Sequence, residues 1–171
     1  MDNLNLILPE IFLSLSILFL LMVGVFKKNS PNLVYILSIV VLLITISLIF
    51  DNPLYDDTYL FKNSYVIDYF ASFMKIITLI GGFFVLVISN KYLKLSKIFL
   101  IEYPILILCS ILGMMVMISS NDLMVFYVGL ELQSLALYVL ASFNRDQLKS
   151  SEAGLKYFVL SALSSGLLLY G

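Results

Sequence analysis

The chain contains no histidine and no tryptophan, one cysteine, and few charges: 10 Lys and Arg with 11 Asp and Glu, 12% of its residues. Without histidine, no His-ligated zinc or haem site and no His-based catalytic site can be built from this chain alone. A lone cysteine excludes an internal disulfide, and Cys109 lies in an apolar run, where a small packed hydrophobe is the expected role. A net charge of -1 without a basic patch gives no case for nucleic acid. No phosphate loop, nucleophile elbow or metal-spaced cluster occurs. Soluble domains run at about 25% charged and 45–50% apolar residues, whereas 61% of this chain is hydrophobic. That balance is the composition of an integral membrane protein.

Hydropathy divides the chain into six spans, an all-α membrane fold without linker or soluble domain. They cover about Leu6–Phe26, Leu33–Phe50, Val66–Ser89, Tyr103–Ser119, the apolar stretch between Asp122 and Phe143, and Glu152–Gly171. The first run carries Asp2 and Glu10 in place of a basic leader and is followed by no small-residue cleavage site, so it reads as a retained span. A polar loop, Asp51–Ser64, carries Asp56, Asp57 and Lys62. Pro104 suits the first turn of the fourth span, where a missing amide donor costs little. The turn Ser120-Asn121-Asp122 is so short that the fourth and fifth spans are expected to be antiparallel neighbours.

Loops after spans one, three and five hold Lys27, Lys28, Lys91, Lys94, Lys97, Arg145 and Lys149, against Lys62 alone on the other side. The positive-inside rule then puts the N-terminus outward, on a periplasmic or intermembrane-space side. Gly171 stands at the membrane boundary directly after Leu167-Leu168-Leu169-Tyr170. The expectation is a single, incomplete transmembrane domain over residues 1–171, continued by a second chain or cut from a longer one. Residue usage rich in Ile, Leu, Phe, Tyr, Lys, Ser and Asn suits an A+T-rich genome such as a mitochondrial one.

Glu131 is the deepest charge. It lies nine residues from Asp122 and twelve from Phe143, with no other charge between. A helical rise of about 1.5 Å per residue puts it ~13 Å deep, near the middle of a hydrocarbon core about 30 Å thick. Burial raises a carboxylate's pKa and a nearby ammonium lowers it, so a carboxylate between these effects can load and release a proton. The plainer reading is a structural carboxylate bonded to a neighbouring helix. Lys156 follows Glu152 by four residues in the favourable Glu-before-Lys order. It is one turn into the sixth span, where it either joins a charge path or snorkels to the basic side. Glu152 also suits a helix start on dipole grounds alone. Lys75, six residues after Tyr69, either snorkels outward or needs a partner, and Asp68 is too distant for an easy pair. Gly129 and Ser134 flank Glu131, and the small pairs Ser161/Ser165 and Ala162/Gly166 point to helix contacts.

The stretches GLELQSLALYVLASF (Gly129–Phe143) and SSEAGLKYFVLSALSSGLLLYG (Ser150–Gly171) resemble subunit 2 of respiratory complex I, called subunit N in bacteria. The resemblance covers about Tyr103–Gly171 by motif and the first three spans by layout. It implies an Mrp-type antiporter fold, with three leading helices before two inverted five-helix repeats. It also implies a fifth-helix glutamate, here Glu131, that modulates a lysine on a seventh helix, and a sixth-helix pair, here Glu152 and Lys156. The seventh helix and second repeat are not in this chain, so a further chain is expected to supply them. The implied role is a non-redox part of proton-translocating NADH:ubiquinone oxidoreductase. It would hold no flavin, iron–sulfur cluster or other cofactor, and sit in the mitochondrial inner membrane or a bacterial plasma membrane. Its partners would be lipid and the other membrane-arm subunits. A cation/proton antiporter subunit and a structural or assembly subunit are the alternatives.

Overall fold

The computed structural model describes residues 6–26, 31–51, 58–96 and 98–171. Among the described residues there are six helices: α1 (Leu8–Phe26), α2 (Pro31–Phe50), α3 (Tyr69–Leu95), α4 (Glu102–Ile118), α5 (Leu123–Ala141) and α6 (Leu148–Tyr170). A small antiparallel hairpin, β1 (Thr58–Leu60) and β2 (Tyr65–Ile67), precedes α3, with Leu60 opposite Tyr65. Five of these described helices are long and apolar enough to cross a membrane. The exception, α4, has 17 residues, at the lower limit for a span.

Lipid offers the backbone no hydrogen bonds, so these apolar runs fold as helices that satisfy themselves. Hydroxyls inside the spans are also absorbed locally: Ser38 donates to Tyr35 O at 2.7 Å and Thr45 to Val41 O at 2.7 Å. Tyr35 reaches across from α2 to α3, donating to Leu86 O and bonding Ser89 Oγ at 2.8 Å. The core lies among α1 to α4, with Leu13, Leu42, Leu79, Leu86 and Leu108 fully buried.

Two element boundaries differ from the sequence expectation. Residues 65–67 are strand, and α3 begins only at Tyr69, where the Asp68 carboxylate accepts from Ala71 N at 2.6 Å as an N-cap. The helical run from Val66 is therefore shorter at its start and longer at its end, reaching Leu95. The sixth helix starts at Leu148, one turn before Glu152, because polar residues can extend a helix beyond the apolar run. Lys27, Lys28, Asp56, Asp57 and Lys97 lie outside the described residues.

The short turn after α4 does make α4 and α5 antiparallel neighbours, and glycine sets their distance. A Cβ on Gly113 would stand 2.6 Å from Gln133 N, and one on Gly129 would stand 2.9 Å from Met117 N. Backbones touch there, a contact that only residues without a side chain permit. Gly129 therefore packs helices. By contrast α6 packs chiefly on α5: Gly154 is its one buried residue, seated against Ser142. Ser161 receives the Tyr138 hydroxyl from α5, while a Cβ on Gly166 would meet nothing.

The bundle has two ends. At one, the hairpin docks on the α4–α5 turn, with Val66 N bonded to Ser119 O at 2.8 Å and Asn121 N to Ser64 O at 3.0 Å. The starts of α1, α3 and α5 gather at this hairpin end. At the other, basic end, Arg145 pairs with Glu102 at 2.9 Å, both well exposed.

Candidate functional site

Glu131 occupies the middle of α5, eight residues after Leu123 and ten before Ala141. Its side chain is half-buried, and its Oε1 is fully enclosed with no hydrogen-bond donor among the described residues. The Ser134 hydroxyl, one turn on, donates to the Glu131 backbone carbonyl at 3.1 Å and leaves the carboxylate alone. An enclosed carboxylate oxygen without a donor costs about 1–3 kcal/mol or more.

Lys156 and Glu152 stand apart from it. They face each other at 3.7 Å across one turn of α6, with side chains 73% and 56% exposed. Their depth follows from the seat of Gly154 against Ser142. Lys156 is two residues beyond that level and Glu131 eleven, so the two are separated by about 13 Å along the helix axes. The structure thus brings Glu152 and Lys156 together near the basic end and leaves Glu131 without a lysine partner among the described residues.

Lys75 has a partner that the sequence reading missed. It is buried to 3% exposure, and its Nζ lies 2.6 Å from Glu10 Oε1. The Tyr65 hydroxyl donates to the same oxygen at 2.9 Å, and Lys75 Nζ lies 3.4 Å from that hydroxyl and 5.2 Å from the ring centre. Three elements contribute one residue each: α1, α3 and β2. Burial first, and the Glu10 charge second, push the Tyr65 phenol above its usual range, so it remains a donor. Asp68 caps its own helix and takes no part. One signal was legible: Glu10 and Lys75 are opposite charges near the starts of alternate spans, hence near the same face.

Comparison with known proteins bears on the fold and on similarity. Residues 120–171 match the model of the NADH:quinone oxidoreductase/Mrp antiporter transmembrane family. NADH-quinone oxidoreductase subunit N of Pelagibacter ubique is 75% identical over all 171 residues. Subunit N of Bartonella bacilliformis is 53% identical over 170 residues, 99% of the chain. Over the stretch it covers, the chain is similar to subunit N. It spans 36% and 34% of the length of these two curated relatives. A solved structure titled as respiratory complex I from Thermus thermophilus with bound aureothin shares the fold, at a TM-score of 0.77 and 24% identity. That match covers 95% of this chain and 35% of the other. The six-helix arrangement of the described residues therefore has the fold of about a third of a chain in that complex. These relatives are bacterial, and the mitochondrial setting inferred from residue usage finds no support among them.

Proposed function

We propose that this chain forms part of the membrane arm of a proton-pumping NADH-quinone oxidoreductase in a bacterial plasma membrane, contributing a section of a proton path. The observation that carries the reading is the enclosed, donor-less Oε1 of Glu131 at mid-span. In a membrane such a carboxylate marks a place where charge or protons move. Glu131 would gain and lose a counter-charge from a lysine on helices outside this chain, and that exchange shifts the lysine's pKa in turn. Lys156, held by Glu152, would connect the path to water at the basic side, which the distribution of basic residues assigns to the cytoplasm. The N-terminus then faces the periplasm. The chain's own role is non-redox, and its partners are the other membrane-arm subunits with the remainder of subunit N.

The test is proton translocation coupled to NADH oxidation in membrane vesicles carrying Glu131→Gln. Electron transfer with translocation lowered severalfold is expected. Full coupling in the variant refutes the role of Glu131. The Mrp part of the matched family model favours one other reading, a cation/proton antiporter. That reading requires the chain to copurify without NADH-oxidising subunits.

A further inference from the structure

Glu10, Lys75 and Tyr65 have no part in the path just described, yet Glu10 and Lys75 are only 6% and 3% exposed. Both protein donors to the Glu10 carboxylate converge on Oε1, Lys75 at 2.6 Å and Tyr65 at 2.9 Å. Oε2 is enclosed and has no donor among the described residues. Buried polar atoms of folded proteins are nearly always bonded, either to protein or to ordered water.

The lysine has capacity to match. An ammonium carries three N–H donors, and Lys75 directs one to Glu10 Oε1 and one to the Tyr65 hydroxyl at 3.4 Å, which leaves a third. Beside the pair is a cavity of about 20 Å³, bordered by Glu10, Lys75 and the polar Ser72; its other walls are apolar, with Pro9, Ile49 and Ile67 among them. That volume accepts one water, which needs about two to four polar partners to stay. Three residues at the rim supply them, and the apolar walls offer no competing bond.

We infer that one ordered water in this cavity bridges the ion pair, donating to Glu10 Oε2 and accepting from the third N–H of Lys75, with Ser72 as its remaining partner. Both charges are then fully bonded, which is the condition for a buried pair to hold. Helices α1 and α3 are thereby linked twice, once directly and once through the water. Glu10 is two residues past the start of α1 and Lys75 six past the start of α3, about 3 and 9 Å in from the hairpin end, so bulk water at that end supplies the site. Glu131 is a separate site on α5, and the inference does not depend on the proton path.

A cryo-electron-microscopy map of the intact membrane complex, at a resolution that shows ordered water elsewhere in the membrane arm, tests it. The expected result is one peak within hydrogen-bond distance of Glu10 Oε2 and Lys75 Nζ. The double change Glu10→Leu with Lys75→Met leaves Ser72 as the polar residue at the rim, and the peak should be lost, because apolar cavities stay dry. A map of the original complex without the peak, or with a protein group bonded to Oε2, overturns the inference. So does a peak that persists in the double variant. Should that variant fail to assemble, the map of the original complex still decides.

Discussion

Replacing Glu10 by Leu strands Lys75 inside the bundle, and the cost can be worked from the structure. The two side chains are 8% and 4% exposed, so water screens the pair little. Removing one member of a buried pair generally costs about 3–5 kcal/mol. Polar contacts between membrane helices average nearer 0.6 kcal/mol, because each group finds another partner once helices separate. Here the alternatives are thin: Lys75 would retain only the Tyr65 hydroxyl, at 3.4 Å. It lies about 9 Å from the start of α3, and its long stem can relax toward the hairpin end. The lower end of the range applies, about 3 kcal/mol, or roughly a hundredfold in the open population. The double change Glu10→Leu with Lys75→Met removes both charges and should lie within about 1 kcal/mol of the original chain, since apolar replacement of a buried pair is close to neutral. Cys109, the sole thiol, is half-buried in α4 against the core, so its maleimide labelling in graded denaturant reads the opening of the bundle. Single variants as stable as the original would refute the pair as an energetic link between α1 and α3.

Gly113→Ala should cost about 1–3 kcal/mol by overpacking, because the new Cβ meets the backbone of α5 at Gln133, and the same labelling assay measures it. Tyr65 holds its proton more tightly folded than unfolded, so the folded state binds more protons as pH rises past its ordinary value near 10. Stability therefore falls above that pH, and Tyr65→Phe should flatten the fall in an alkaline denaturation series. Lys156→Met should change stability by no more than about 0.5 kcal/mol, since its pair with Glu152 is exposed. A loss of proton translocation in that variant at unchanged stability would bear on its proposed place in the path.

Much of this architecture was legible before any coordinates. Helical spans in lipid follow from hydropathy because the backbone has no other way to satisfy itself, and all six helices fall where long apolar runs stand. Boundaries shifted where local polar chemistry decides them, at the Asp68 cap and at the polar first turn of α6. Glu131 and the Glu152–Lys156 pair are set by spacing along one helix, and spacing is what a sequence displays. The Glu10–Lys75 contact joins residues 65 positions apart on α1 and α3. It depends on which helix faces lie inward, and the near-uniform hydrophobicity of α1 does not mark its inner face. Gly113 escaped notice for the same reason: its role is fixed by the backbone of a different helix.

The two enclosed carboxylates make opposite predictions because their surroundings differ. Glu10 has a lysine, a phenol and a place near the bundle end, so the described residues already compensate its charge. Glu131 has an enclosed oxygen and no donor, at mid-span, on a helix whose other neighbour α6 offers it no cation. Removing Glu10 leaves a stranded ammonium, whereas removing Glu131 leaves nothing unpaired. Glu131→Leu should thus be neutral or stabilising for the chain alone, by up to about 1–3 kcal/mol, the cost of one unmatched oxygen. Maleimide labelling of Cys109 reads this as well. A loss above about 2 kcal/mol would mean that the Glu131 carboxylate is bonded within the chain, and the case for it as a mobile-charge site would fail on stability grounds before any pumping assay.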